Sequence, residues 1–118
     1  MTHIINNTIY DYKMPESMYK DLKSNASANH NSIKKEIYYR LTRTLDPEYN
    51  FKSNKTILNY ASILCSDKSV KTITFDFNVP NYLVSTITLL RTHRPDIKDL
   101  LYEINLRLAY TLYDPFYK

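Results

Sequence analysis

The sequence predicts a mainly α-helical protein with two short β-strands, because a strand, helix, turn, helix pattern occurs twice within 118 residues. The stretch TIYDYKMP (Thr8–Pro15) returns as ITFDFNVP (Ile73–Pro80) at an offset of 65, each an aromatic-Asp-aromatic core closed by proline. Downstream, EIYYRLTRTL (Glu36–Leu45) returns as EINLRLAYTL (Glu103–Leu112) at an offset of 67. Repetition on this scale sets the architecture before any single element does. The copies divide the chain into residues 1–45, a connector over 46–70, and residues 71–118.

Alternation marks the strands. In the first copy Tyr10, Tyr12 and Met14 share a face predicted to meet the core, with Ile9, Asp11 and Lys13 facing outward. In the second, Phe75, Phe77 and Val79 stand against Thr74, Asp76 and Asn78. Pro15 and Pro80 fall where the following helices begin, where a fixed φ fits and a missing N–H costs nothing.

The first helix of each copy, about 15–28 and 80–93, carries one apolar stripe: Met18, Leu22 and Ala26, then Leu83, Ile87 and Leu90. Ser32 is suited to cap the next helix, which puts Ile33, Ile37, Leu41 and Leu45 on one face. Its counterpart, about 96–112, has Leu100, Ile104, Leu108 and Leu112. Glu36–Arg40 and Glu103–Arg107 are i,i+4 pairs, either solvated or buried as far as spacing goes. In the connector, Ser53 or Asn54 caps a helix carrying Ile57, Leu58, Ala61 and Leu64, so this segment packs and is not a flexible tether.

Composition narrows the function. The chain has no glycine, which removes phosphate-cradling Gly-rich loops. Its one cysteine, Cys65, and the dispersed His3, His30 and His93 make no metal site and no nucleophile-base pattern, so neither cofactor, metal nor enzymatic activity is expected. No apolar run approaches the ~20 residues that span a bilayer, and the start lacks the order of a signal peptide; a cytoplasmic location is expected, that of a host cell if the source is viral. The net charge of +4 favours an anionic partner. Residues 1–45 hold seven Lys/Arg against four Asp/Glu, so the basic excess is N-terminal.

A lone strand leaves its backbone edges unsatisfied, and the natural partner is the strand of an equivalent unit, giving an antiparallel ribbon over a four-helix core. With SIKKEIYYRL (Ser32–Leu41) following a strand-Pro-helix segment without a gap, residues 8–45 resemble the Arc/MetJ ribbon-helix-helix repressors. The resemblance implies binding of double-stranded DNA by a transcription regulator of repressor type. Outward strand residues, here Ile9, Asp11 and Lys13, would enter the major groove, which admits a two-stranded ribbon. Backbone amides at the start of the second helix, here Ser32, Ile33 and Lys34 with Lys35 adding charge, would hold a phosphate.

Some positions depart from the family. Ile9 and Asp11 replace polar donors, and Asn31 replaces the first arginine of a buried Arg–Glu–Arg triad. His30 replaces a common glycine, so that Asn29 or Asn31 is expected to take the left-handed turn. The second copy is degenerate: Thr74, Asp76 and Asn78 carry no positive charge, and Asp96 and Asp99 surround its second helix start. It is therefore assigned to assembly or to a protein partner. Ribbons can form within one chain or between two; a homodimer pairing first copy with first copy is favoured, because it sets two Lys13 strands on one face. Tandem copies in a glycine-free chain rich in Asn and Tyr also resemble transcription regulators of archaeal viruses. The competing expectation is a protein-interaction or structural module, antitoxin-like or DNA-coating, with weak or nonspecific DNA contact.

Overall fold

The computed structural model describes the backbone of residues 3–5, 8–89 and 97–117, and the side chains of 8–87 and 100–117. In chain order the elements are β1 (His3–Ile5), β2 (Thr8–Pro15), α1 (Glu16–Ala28), α2 (Ile33–Leu45), α3 (Lys55–Ser66), β3 (Thr72–Asn78), α4 (Asn81–Leu89) and α5 (Ile97–Tyr113). A short 3-10 turn, Pro47–Tyr49, lies between α2 and α3. The protein is thus mainly helical with a small antiparallel sheet of order β1-β2-β3. Leu90, His93 and Asp96 lie outside the described residues, as does the Asp99 side chain.

The pairing of strands corrects two expectations. β2 and β3 of the same chain pair with each other, Lys13 opposite Thr74 and Thr8 opposite Asn78. The other edge of β2 is taken by β1, which no sequence pattern suggested, with His3 opposite Tyr10 and Ile5 opposite Thr8. Over Thr8–Tyr10 both edges of β2 are filled, and its long partner is the second-copy strand of the same chain, the within-chain alternative to pairing between two chains.

The strand faces differ as well. Ile9 opposes Phe77 and Tyr12 opposes Phe75, so two residues of β2 stand against Asp76 alone. This bulge puts Asp11 in the left-handed region at φ 55°, and the Asp76 carboxylate accepts from the Asp11 amide at 2.9 Å. One extra residue reverses the alternation. Ile9, Tyr12 and Met14 are all fully buried, while Tyr10 lies off the core and is half-exposed. β3 has no such break, and Phe77 lies buried with Phe75 half-buried beside it.

The helices follow their predicted stripes. Met18, Leu22 and Ala26 of α1, Ile37 and Leu41 of α2, Leu83 and Ile87 of α4, and Leu100, Ile104 and Leu108 of α5 are buried in one core. Ile57 and Ala61 of α3 join it, so the connector is a packed wall. Each Leu, Ile or Met among them contributes about 1.5–3 kcal/mol by leaving water. The caps are equally local. Ser32 Oγ accepts from the Lys35 amide at 3.2 Å, and Asn54 Oδ1 accepts from the amides of Thr56 and Ile57. Pro15 and Pro80 each stand one residue before their helix, as the cap rather than its first turn.

The two i,i+4 pairs are buried and crossed. Arg40 Nε donates to Glu36 Oε2 at 2.8 Å and its Nη1 to Thr111 Oγ1 at 2.9 Å. In mirror fashion, Arg107 Nε donates to Glu103 Oε2 at 3.0 Å and its Nη1 to Thr44 Oγ1 at 3.1 Å. Arg40 and Arg107, Thr44 and Thr111, and Glu36 and Glu103 are all separated by the same 67 residues. Each guanidinium also covers an aromatic ring, Tyr117 for Arg40 and Phe51 for Arg107, at 4.4 and 4.5 Å from the centroids. Burial lowers the Arg107 pKa, opposed by the adjacent Glu103; a guanidinium remains charged at neutral pH in any case.

Candidate nucleic-acid interface

The outer face of the sheet follows from the register. With Ile9, Tyr12 and Met14 turned to the core, β2 offers Thr8, Tyr10, Asp11 and Lys13, and β3 offers Thr72, Thr74, Asp76 and Asn78. Lys13, Thr72, Thr74, Asp76 and Asn78 are exposed. Of the three strand residues expected to reach base edges, Lys13 is well placed and Asp11 lies half-buried at the bulge. Ile9 is fully buried and is withdrawn as a base contact, because the bulge turns it inward. Thr8 and Tyr10 take part in the face instead, Thr8 Oγ1 donating to Asn78 Oδ1 at 2.8 Å. A bulge without glycine leaves no composition signal by which these two could have been chosen.

Lys13 is held from behind. Tyr12 points into the core with its phenol donating to Asn105 Oδ1 of α5, and Asn105 Nδ2 donates to the Lys13 carbonyl at 3.1 Å. Burial drives the Tyr12 pKa well above its usual value, so this phenol stays protonated as a donor. The Lys13 backbone is thus fixed while its side chain is free to project.

The second component is the start of α2. The turn from α1 is closed by His30, which itself takes the left-handed conformation at φ 58°, not Asn29 or Asn31. Asn31 N–H bonds Ala26 O at 2.8 Å and His30 N–H bonds Ser27 O at 3.1 Å, the double closure of a Schellman ending. Asn31 Nδ2 and Asn29 Nδ2 approach Glu36 Oε1 at 3.5 and 3.4 Å. Two weak amide donors therefore stand where the resemblance would put an arginine.

This ending delivers Ser32, exposed, to the N-cap, followed by Ile33, Lys34 and Lys35. Ile33 leans its side chain on the core while both lysines are exposed. The amides of Ile33 and Lys34 precede Glu36, the first whose N–H finds an intrahelical acceptor, the Ser32 carbonyl at 3.0 Å, so they point out of the helix end with its positive dipole. His30, Asn31, Ser32, Lys34, Lys35 and Tyr38, together with Asn78 and Pro80, line an open groove of about 550 Å³. The phosphate-binding candidates and one end of the ribbon therefore form one continuous surface. Tyr38 and Tyr82 fix it by sharing a hydrogen bond between α2 and α4, which raises the Tyr82 pKa.

Among the described residues no group of His, Cys, Asp and Glu is arranged to hold a metal ion, and no helix is long and apolar enough to cross a membrane. Comparison of the chain with protein-family models, with curated proteins and with solved structures finds no match.

Proposed function

We propose that the chain is a DNA-binding transcription regulator built as a tandem ribbon-helix-helix protein whose two copies form one ribbon. The β2–β3 face lies in the major groove and the start of α2 grips a neighbouring phosphate. One observation carries this reading: the exposed Ser32–Lys35 helix start and the outer ribbon face meet in a single groove lined also by Asn78 and Pro80. A helix N-terminus is a ready anion site, and Lys34 and Lys35 supply the charge that dominates affinity for a phosphate backbone. Lys13 is the ribbon's donor to guanine.

Retardation of labelled duplex DNA at several salt concentrations tests it. Replacing Lys34 and Lys35 by alanine should reduce the slope of log affinity against log salt by about 1.8, two phosphate contacts at ~0.9 each. If Lys13→Ala combined with Lys34→Ala leaves affinity unchanged at fixed salt, the DNA surface lies elsewhere.

A protein-interaction role has its own observation. Tyr60 and Ile63 of α3 and Tyr113 of α5 are exposed, with the Tyr60 and Tyr113 rings 6.3 Å apart. Alanine at all three should leave DNA affinity intact under the DNA reading; loss of function in cells with DNA binding retained would favour the second role.

A further inference from the structure

We infer that the DNA element read by one chain is non-palindromic, with its base contacts displaced to one side of the phosphate anchor. This rests on the DNA-binding reading and specifies the kind of site that it takes. Ribbons made by two identical strands present the same face twice and so read sequences with two-fold symmetry. Here the two strands belong to one chain and share an Asp at the bulge but differ beyond it: Lys13 stands opposite Thr74, and Thr8 opposite Asn78.

The two ends of the sheet also differ in width. β1 pairs only with Thr8, Ile9 and Tyr10, so this end is three strands wide. From Tyr12 to Pro15, opposite Phe75 to Thr72, no strand pairs with the free edge of β2 among the described residues, and the sheet there is a two-stranded ribbon. Strands lie about 4.8 Å apart, so three strands with their side chains exceed a major groove about 12 Å wide, whereas two fit. The narrow end is the one that carries Lys13, Thr72 and Thr74 outward. The wide end ends at Asn78, on the groove shared with Ser32, Lys34 and Lys35. Base reading and phosphate gripping are thereby assigned to opposite ends of one sheet.

The test is selection of bound duplexes from a random pool by the full chain, followed by methylation and phosphate-ethylation interference on the selected site. The expected element lacks internal two-fold symmetry, binds one chain at its minimal length, and shows guanine interference on one side of the ethylation signals. Lys13→Ala should lower discrimination at one base pair by roughly 5- to 150-fold, the range of one good side-chain-to-base contact. Lys34→Ala, at the wide end, should weaken binding to all duplexes alike and leave the ranking of bases unchanged, as a phosphate contact does. A palindromic minimal element holding two chains, or a Lys13→Ala effect in both halves of the site, overturns the inference while leaving DNA binding intact. Failure to retard any duplex overturns the DNA-binding reading itself.

Discussion

Replacing Arg107 by alanine puts the crossed ion pairs to the test. Its side chain is 5% exposed and donates to Glu103 at 3.0 Å, to Thr44 Oγ1 at 3.1 Å and to Thr44 O at 3.2 Å. Removing it strands the Glu103 carboxylate in the interior without its guanidinium and uncovers the Phe51 ring. Breaking one side of a buried pair costs about 3–5 kcal/mol, a large part of the ~5–15 kcal/mol that holds a domain together. With a urea dependence of about 2 kcal/mol per M, the unfolding midpoint should fall by roughly 2 M. Joining Glu103→Leu to Arg107→Met should restore most of this, since an apolar pair of similar volume needs no counter-charge. Circular dichroism during urea titration reads all three proteins. A loss for Arg107→Ala below about 1 kcal/mol, the value of a solvated pair, would refute the burial of this network.

Two further predictions concern single positions. Burial pushes the Cys65 thiol up to about 12 from 9.0, so thiol labelling at pH 8 should be about a thousandfold slower in the native protein than in urea, three pH units of thiolate suppression. The associated stability is fully present below the unfolded value near 9 and is lost as pH rises towards about 12; the raised Tyr12, Tyr49 and Tyr117 act in the same direction above their ordinary 10.0. The urea midpoint should accordingly fall on going from pH 8 to pH 11, and a constant midpoint would contradict these burials. His30→Val should lower stability by about 1–2 kcal/mol because a β-branched residue resists positive φ, whereas His30→Gly should not; equal stability of the two by thermal unfolding would refute the left-handed turn.

Where sequence reading worked, the cause was local. Ser32 and Asn54 cap helices because short polar side chains reach amides two or three residues on, a matter of composition at one site. The apolar stripes of α1, α2 and α5 are fixed by a period of 3.6, and the buried residues follow them. Where it failed, the deciding interaction was distant or silent. The bulge that turns Ile9 inward is closed by Asp76, 65 residues from Asp11, and it occurs without glycine. Left-handed His30 is likewise closed by carbonyls that any side chain would leave in place. Because the copies repeat, pairing of β2 with β3 and pairing between chains bury the same kinds of residue, and the pattern does not separate them. β1, three residues long, is too short for any period to emerge. For the proposed interface, Lys13 and the Ser32–Lys35 run are expectations of the sequence, and the fold adds that Ser32, Lys34 and Lys35 share a groove with Asn78 and Pro80.

Because β2 finds its partner within the same chain, the ribbon's assembly is a first-order event. A ribbon built from two separate chains dissolves on dilution, since its stability depends on protomer concentration. A partner held by a connector of fixed length is instead present at an effective concentration in the millimolar range, whatever the number of molecules in the cell. The α3 segment therefore does for this fold what abundance must do for a dimer: a few copies of the chain can carry a fully formed β2–β3 face.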